Sequence, residues 1–189
     1  MKLRRALFLD RDGVINVERG YVYRPEDFEF VEGVFDLCRA ARKMGFRIFV
    51  VTNQAGIGRG YYSEQDFRQL SDWMCGVFAR ESAPIDKVYF CPTHPEHGIG
   101  PYKIDSALRK PGPGMFLQAA VEFDVHLAGS VSVGDKESDV AAGIAAGIGR
   151  NLLLCPSSDS RPAHSEADAI VTHLMDVVPF LERAAGAPP

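Results

Sequence analysis

Short apolar runs rich in β-branched and aromatic residues alternate along this chain with segments of helical periodicity. The runs are ALFL (6–9), FRIFVVTN (46–53), KVYF (87–90), SVSVGD (130–135) and NLLL (151–154). Between them, GVFDLCRAARKMG (33–45) places Val34, Leu37, Cys38 and Ala41 on one helix face and sets Gly45 where a helix ends. SEQDFRQLSDWMCGVFAR (63–80) opens on Ser63, a good N-cap, with Glu64 and Asp66 in the first turn, where the helix dipole favours acids. GPGMFLQAAVEF (112–123) carries Pro113 near its start, KESDVAAGIAAG (136–147) ends at Gly147, and HLMDVVPFLERA (173–184) holds Pro179, which kinks or shifts its boundary. Strands separated by helices cross over and lie parallel, with helices covering both faces. The pattern therefore predicts an α/β fold, a three-layer doubly wound parallel sheet. A length of 189 residues suits one domain over 1–189, with 183–189 as a disordered tail.

Composition removes several function classes. A net charge of −4 opposes general nucleic-acid binding, which favours a basic surface. No run approaches the ~18 apolar residues of a membrane span. The start, MKLRRALFLDRDG, imitates a signal peptide, but ALFL is too short for its apolar region and Asp10 ends it. The four cysteines, 38, 75, 91 and 155, lack CxxC spacing and read as reduced thiols. These features imply a cytoplasmic protein with neither a nucleic-acid nor a membrane partner.

FLDRDGVIN (8–16) sets Asp10 and Asp12 two positions apart at the end of the first strand. Two carboxylates so close repel, so they share a cation, do two different jobs on a substrate, or both. In open α/β sheets ligands bind outside the carboxyl ends of the strands. Four groups fall on that rim: Asp10 and Asp12, Thr52 and Asn53, Arg109 and Lys110, and Asp135 to Asp139. The long connections 13–32 and 91–112 open on the same rim, and loops of that length in a compact domain are usually functional. GIGRG (56–60) lacks GxGxxG spacing and reads as a turn rather than a nucleotide loop.

In order, DRDGVIN, VVTNQ, RKPGPGM and VGDKESD resemble the four signature motifs of the haloacid dehalogenase (HAD) phosphohydrolases. Over residues 6 to 150 the segments FLDRDGVINVERGYV, DFEFVEGV, MGF, VVTNQAGIGRGYYSE, YFCPTHP, RKPGPGM and VGDKESD are similar to the D-glycero-D-manno-heptose 1,7-bisphosphate phosphatases. The resemblance implies a HAD-like Rossmannoid fold without a large cap domain. It also implies a Mg²⁺-dependent phosphatase of a small sugar bisphosphate, in the heptose branch of lipopolysaccharide biosynthesis, acting as a monomer. Asp10 would be nucleophile and Mg²⁺ ligand, Asp12 general acid and base as well as a ligand through its carbonyl, and Asp135 the remaining protein ligand. Thr52 would hold phosphoryl oxygens and Lys110 offset their charge, with Asp139 orienting Lys110 or a metal-bound water. The substrate residues carried over are Arg11, the loop Glu18, Arg19, Gly20 and Tyr21, then Asn53, Gln54, Ala55, Arg59, Arg109 and Lys136. For a second phosphate Arg109 leads, ahead of Arg59 and Lys136.

The chain departs from the family at the second long loop, where many relatives hold a structural zinc through C-x-H and C-x-C. Here the positions read Cys91-Pro92-Thr93 and Ser106-Ala107-Leu108, so one of four ligands, Cys91, remains. A tetrahedral site needs four, and the expectation is no zinc, with Pro92, Pro95 and Pro101 stiffening the loop; the alternative is a metal site improvised from Cys91, His94 and His97. Two other functions fit parts of the pattern. Histidinol-phosphate phosphatases share much of it, and a phospho-acceptor signalling module would use a similar sheet but has no acid two residues after the acceptor.

Overall fold

Both faces of the central strands are covered, which is why the sequence shows unbroken apolar runs rather than alternation. The computed structural model describes residues 4–157 and 162–186. Its strands are β1 (Ala6–Leu9), β2 (Arg47–Asn53), β3 (Lys87–Cys91), β4 (Val131–Gly134), β5 (Arg150–Leu154) and β6 (Ala169–Val171). They form one six-stranded sheet in the order β3-β2-β1-β4-β5-β6, and every pairing is parallel. The helices are α1 (Val34–Lys43), α2 (Ala55–Gly58), α3 (Glu64–Arg80), α4 (Gly114–Phe123), α5 (Glu137–Ala146) and α6 (Val178–Gly186).

Alternate residues of each strand feed different cores. Leu7, Leu9, Ile48, Val50 and Val133 pack with Leu37 and Cys38 of α1, Leu70, Met74 and Phe78 of α3, and Leu181 of α6. Ala6, Phe8, Phe49 and Val51 pack on the opposite face with Met115, Phe116 and Ala119 of α4 and Ala142 of α5. The Phe8 ring lies 5.4 Å from Phe49 and 5.1 Å from Phe116, centroid to centroid, so three elements meet at one aromatic. The chain winds outward from β1 through β2 to β3, then crosses back to β4 on the other side of β1. That reversal places a switch point, where ligands bind in such sheets, between β1 and β4.

The doubly wound parallel fold is as expected, and among the described residues no insertion forms a cap domain. Three local readings change. β6 was not foreseen, because AIV is too short to stand out in sequence. GIGRG is less a turn than a turn of helix, with α2 ending at Gly58 and Gly60 at φ 76. Pro179 lies in the first turn of α6, where its missing N–H costs nothing. The helix continues to Gly186, so 183–186 are helical rather than a disordered tail, and 187–189 lie outside the described residues. No described helix is long and apolar enough to cross a membrane.

At the start of α3, Ser63 Oγ accepts the Asp66 N–H at 3.1 Å while the Asp66 carboxylate accepts the Ser63 N–H at 2.8 Å. This reciprocal cap satisfies two donors that the helix leaves open. Ser63→Ala should lower stability by about 1 kcal/mol, which a thermal melt would read as roughly 2–4 °C at this size; an unchanged melting temperature would show the cap to be idle.

Candidate active site

Three adjacent strands end together. Asp10 follows β1, Thr52 and Asn53 close β2, and Asp135 follows β4, held in step by Leu9 pairing with both Val50 and Val133. The Asp10 N–H donates to Val133 O at 3.0 Å, which extends the ladder to the catalytic-looking carboxylate itself. An open cleft of about 570 Å³ covers this rim and is lined by Asp10, Asp12, Thr52, Asn53, Gln54, Ala55 and Lys110, with Glu18, Gly20, Tyr21, Arg109 and Lys136 around its mouth.

Lys110 is buried under the cleft. Its Nζ donates to Asp10 Oδ1 at 2.9 Å, Asp139 Oδ1 at 2.6 Å and Val51 O at 2.8 Å. Its backbone is clamped by Asn53, whose Nδ2 donates to Lys110 O and whose Oδ1 accepts the Lys110 N–H, both at 3.0 Å. Burial alone would push the ammonium's pKa down, but Asp10 and Asp139 outweigh it and hold it above the ordinary lysine value. The Asp10 pKa is raised as well: burial pushes it up, Lys110 opposes, and Asp139 and Asp135 add to the rise. Burial likewise lifts Asp135, to about 6.

Oxygens of Asp10, Asp135 and Asp139 lie within 4.8 Å of one another. Asp139 is already committed: its second oxygen accepts the N–H groups of Asp135 and Lys136 at 3.1 and 3.0 Å. Asp135 Oδ1, in contrast, is buried without a partner. A buried carboxylate oxygen left unpaired next to a second acid is what a hard divalent cation such as Mg²⁺ relieves, so Asp10 and Asp135 fit such an ion. Gly13, at φ 87, admits Asp135 to this spot, because a Cβ there would meet Asp135 Oδ2 at 2.3 Å.

Asp12 faces the same cleft in different company. Arg11 Nη2 donates to Asp12 Oδ1 at 2.7 Å and Oδ2 at 2.8 Å, and Gln54 Nε2 donates to Oδ2 at 3.0 Å. The structure thus brings together Asp10, Asp12, Thr52, Lys110, Asp135 and Asp139, along with Glu18, Gly20, Tyr21, Asn53, Gln54, Ala55, Arg109 and Lys136 from the substrate set. Three of that set are placed otherwise. The Arg11 side chain is 1% exposed beneath Asp12, outside the cleft lining. Arg19 points to solvent and pairs with Glu29, since the turn at Gly20 (φ 74) directs it away. Arg59 does not line the cleft; its charge acts on Arg109 and His94. Asn16 and Tyr62, which sequence reasoning missed, touch Asp12 and Gln54. Asn16 lies four residues past Asp12 within the motif, so proximity was a usable signal; Tyr62 falls in the family-like segment VVTNQAGIGRGYYSE, but its spacing does not point to Gln54.

The second long loop is closed by ordinary contacts. Cys91 Sγ lies 3.3 Å from Thr93 Oγ1, Arg109 Nη1 donates to Thr93 O at 3.3 Å, and His94 Nδ1 accepts the N–H groups of Glu96 and His97 at 3.2 and 3.1 Å. Among the described residues Cys91, His94 and His97 form no convergent ligand set.

A HAD-hydrolase-like family model matches residues 107–177. A D-glycero-alpha-D-manno-heptose-1,7-bisphosphate 7-phosphatase of Burkholderia mallei is 62% identical over 177 residues, covering 94% of this chain and 93% of the relative. The Vibrio cholerae D-glycero-beta-D-manno-heptose-1,7-bisphosphate 7-phosphatase is 46% identical, covering 92% and 91%. Among solved structures, the D,D-heptose 1,7-bisphosphate phosphatase of B. bronchiseptica, complexed with magnesium and phosphate, superposes with a TM-score of 0.80 at 27% identity over 95% of this chain and 98% of that one.

The Asp135 shift has a sign that can be checked. Its folded pKa, about 6, exceeds the ordinary 3.8, so without a cation the folded state loses stability as pH rises between those values. A cation that requires the ionised form removes the penalty. Mg²⁺ at a hundredfold excess over its Kd should stabilise by about 2.7 kcal/mol, roughly 5–10 °C, at pH 7.5. The shift should shrink at pH 5 and vanish in Asp135→Asn and Gly13→Ala; thermal melts showing equal shifts at both pH values would place the ion elsewhere.

Proposed function

The chain belongs to the D-glycero-D-manno-heptose 1,7-bisphosphate 7-phosphatase family, and from that premise we propose that it removes the C7 phosphate through an aspartyl-phosphate on Asp10. The observation that carries this reading is Asp10 and Asp12 facing one cleft with different partners, Lys110 against the first and Arg11 against the second. A nucleophile must be ionised beside an anionic substrate, and Lys110 supplies the compensating charge at 2.9 Å. A proton-transfer group instead needs a fixed position facing the leaving oxygen.

Asp10 attacks phosphorus, the bond to the C7 oxygen breaks, and Asp12 gives that oxygen its proton. Asp12 then takes a proton from the water that attacks the aspartyl-phosphate, releasing inorganic phosphate and restoring Asp10. Thr52 holds a phosphoryl oxygen, Lys110 offsets charge throughout, and Asp139 aims Lys110 by its 2.6 Å contact. Asp10, Asp135 and the Asp12 carbonyl would hold Mg²⁺, which would supply charge to neutralise the phosphate. Glu18, Gly20 and Tyr21 cover the sugar, and Arg109, at the mouth with one N–H committed to Thr93 O, takes the C1 phosphate. The second loop works without zinc. We read the enzyme as a cytoplasmic monomer supplying heptose for envelope lipopolysaccharide.

Asp10→Asn should abolish turnover while phosphate binding, followed by calorimetry, persists; substantial hydrolysis by that variant would exclude the covalent route. Arg109→Ala should lower kcat/KM for the bisphosphate about ten- to a hundredfold, the worth of one charge-assisted contact, and spare a monophosphate. Equal losses on both would remove Arg109 from the C1 phosphate, and a wild-type preference for histidinol phosphate would overturn the substrate. Elemental analysis is expected to find no stoichiometric zinc; one zinc per chain that is lost in Cys91→Ala would reverse the reading of the loop.

A further inference from the structure

Arg11 is the largest fully buried side chain among the described residues, 1% exposed, yet it serves no element of the hydrophobic core. Its Nε and Nη2 both donate to Asp12 Oδ1, at 3.2 and 2.7 Å, and Nη2 also reaches Asp12 Oδ2 at 2.8 Å and Val22 O at 2.8 Å. The guanidinium rests over the Phe67 ring at 5.8 Å, so α3 backs it from behind. From the other side Gln54, also 1% exposed, donates to Asp12 Oδ2 at 3.0 Å and to Thr52 Oγ1 at 2.8 Å. Its carbonyl accepts the Tyr62 hydroxyl at 2.5 Å. Reversing the amide would set its oxygen against the Asp12 carboxylate, acceptor on acceptor, so the orientation is determined.

A carboxylate on the rim of a wet cleft needs no such support, since water would satisfy it. We propose that Arg11 and Gln54 form a positioning clamp that fixes the Asp12 carboxylate and couples it to the loop over the sugar. The coupling is by contact: Val22 O accepts from Arg11, and the Tyr23 ring stacks on Tyr62 at 5.2 Å and 6°. Arg11 therefore touches residue 22 directly, and Gln54 reaches residue 23 of the same loop through Tyr62, so a sugar that orders the loop also sets Asp12. One fixed carboxylate can then protonate the leaving oxygen and later deprotonate the water, because both occupy the same in-line position on phosphorus. Both side chains are 1% exposed and direct their N–H groups to Asp12, Val22 O and Thr52 Oγ1, so each acts through Asp12.

The inference rests on the phosphatase reading above, and leaving groups separate the two. Alkyl and phenyl phosphates need a proton donor in the first step; p-nitrophenyl phosphate does not, but its phosphoenzyme still needs a base in the second. Arg11→Met should lose about 100-fold in kcat on the sugar bisphosphate, the cost of a misplaced group, and Gln54→Leu about tenfold, with KM changed less than about twofold. With p-nitrophenyl phosphate both should release a burst of about one p-nitrophenolate per site and then turn over slowly, matching Asp12→Asn. If Arg11→Met does not fold, Gln54→Leu carries the same signature alone. Uniform losses across leaving groups with no burst, beside an Asp12→Asn protein that does burst, would overturn the clamp. An inactive wild type, or Asp12→Asn without a burst, would overturn the phosphatase reading instead.

Discussion

A single buried ammonium organises the rim of this sheet. Lys110 has three N–H donors and meets three acceptors, carboxylates from β1's exit and from α5 and a carbonyl of β2. Removing one partner of such a buried pair leaves an uncompensated charge, typically about 3–5 kcal/mol. The arrangement therefore constrains three elements at once, and Asn53 pins the lysine's own backbone to β2. Sheet register, the start of α5 and the end of the second long loop are all tied to one side chain.

That ammonium is not enough to balance its surroundings. Asp10, Asp135 and Asp139 bring three carboxylates to it, and burial, with repulsion among these acids adding to it, raises the pKa values of Asp10 and Asp135. A divalent cation would find oxygens in need of charge here, and Asp10 lies against Lys110 at 2.9 Å. Asp12, two residues on, escapes this network because its carboxylate turns to Arg11 and Gln54. Identical side chains thus acquire different chemistry from different neighbours, as pairs of titratable groups with distinct tasks generally do.

The second long loop makes a related point about substitution of function by packing. Thr93, Ser106 and Leu108 stand where the family resemblance leads one to expect the imidazole and the two thiolates of a C-x-H and C-x-C pattern. Hydrogen bonds from Arg109 to Thr93 O and between His94 and the Glu96 and His97 amides hold the turns here. Gly98 permits the closest approach, with a hypothetical Cβ 2.2 Å from Tyr102 O. Arg109 is consequently both a brace of the loop and a charge at the cleft mouth.

What the sequence by itself determined is whatever depends on local spacing. Short β-branched and aromatic runs alternating with period-3.6 apolar patterns are set by backbone geometry, so the parallel sheet, the boundaries of α1, α3 and α5 and the Ser63 cap were legible from residues alone. The rim residues were legible too, since Asp10, Thr52 and Asp135 follow strands whose ends must coincide. β6 was not, because three residues carry no period. Nor were the partners of long side chains: Arg11 and Arg19 belong to the same loop region, yet one is buried against Asp12 and the other exposed against Glu29. An arginine reaches several ångströms from its backbone with many rotamers, and which acceptor it finds depends on residues far apart in sequence. Only the folded chain, by bringing Gln54 and Tyr62 to Asp12 and Asp139 to Lys110, decided which carboxylate is neutralised and which is held in place.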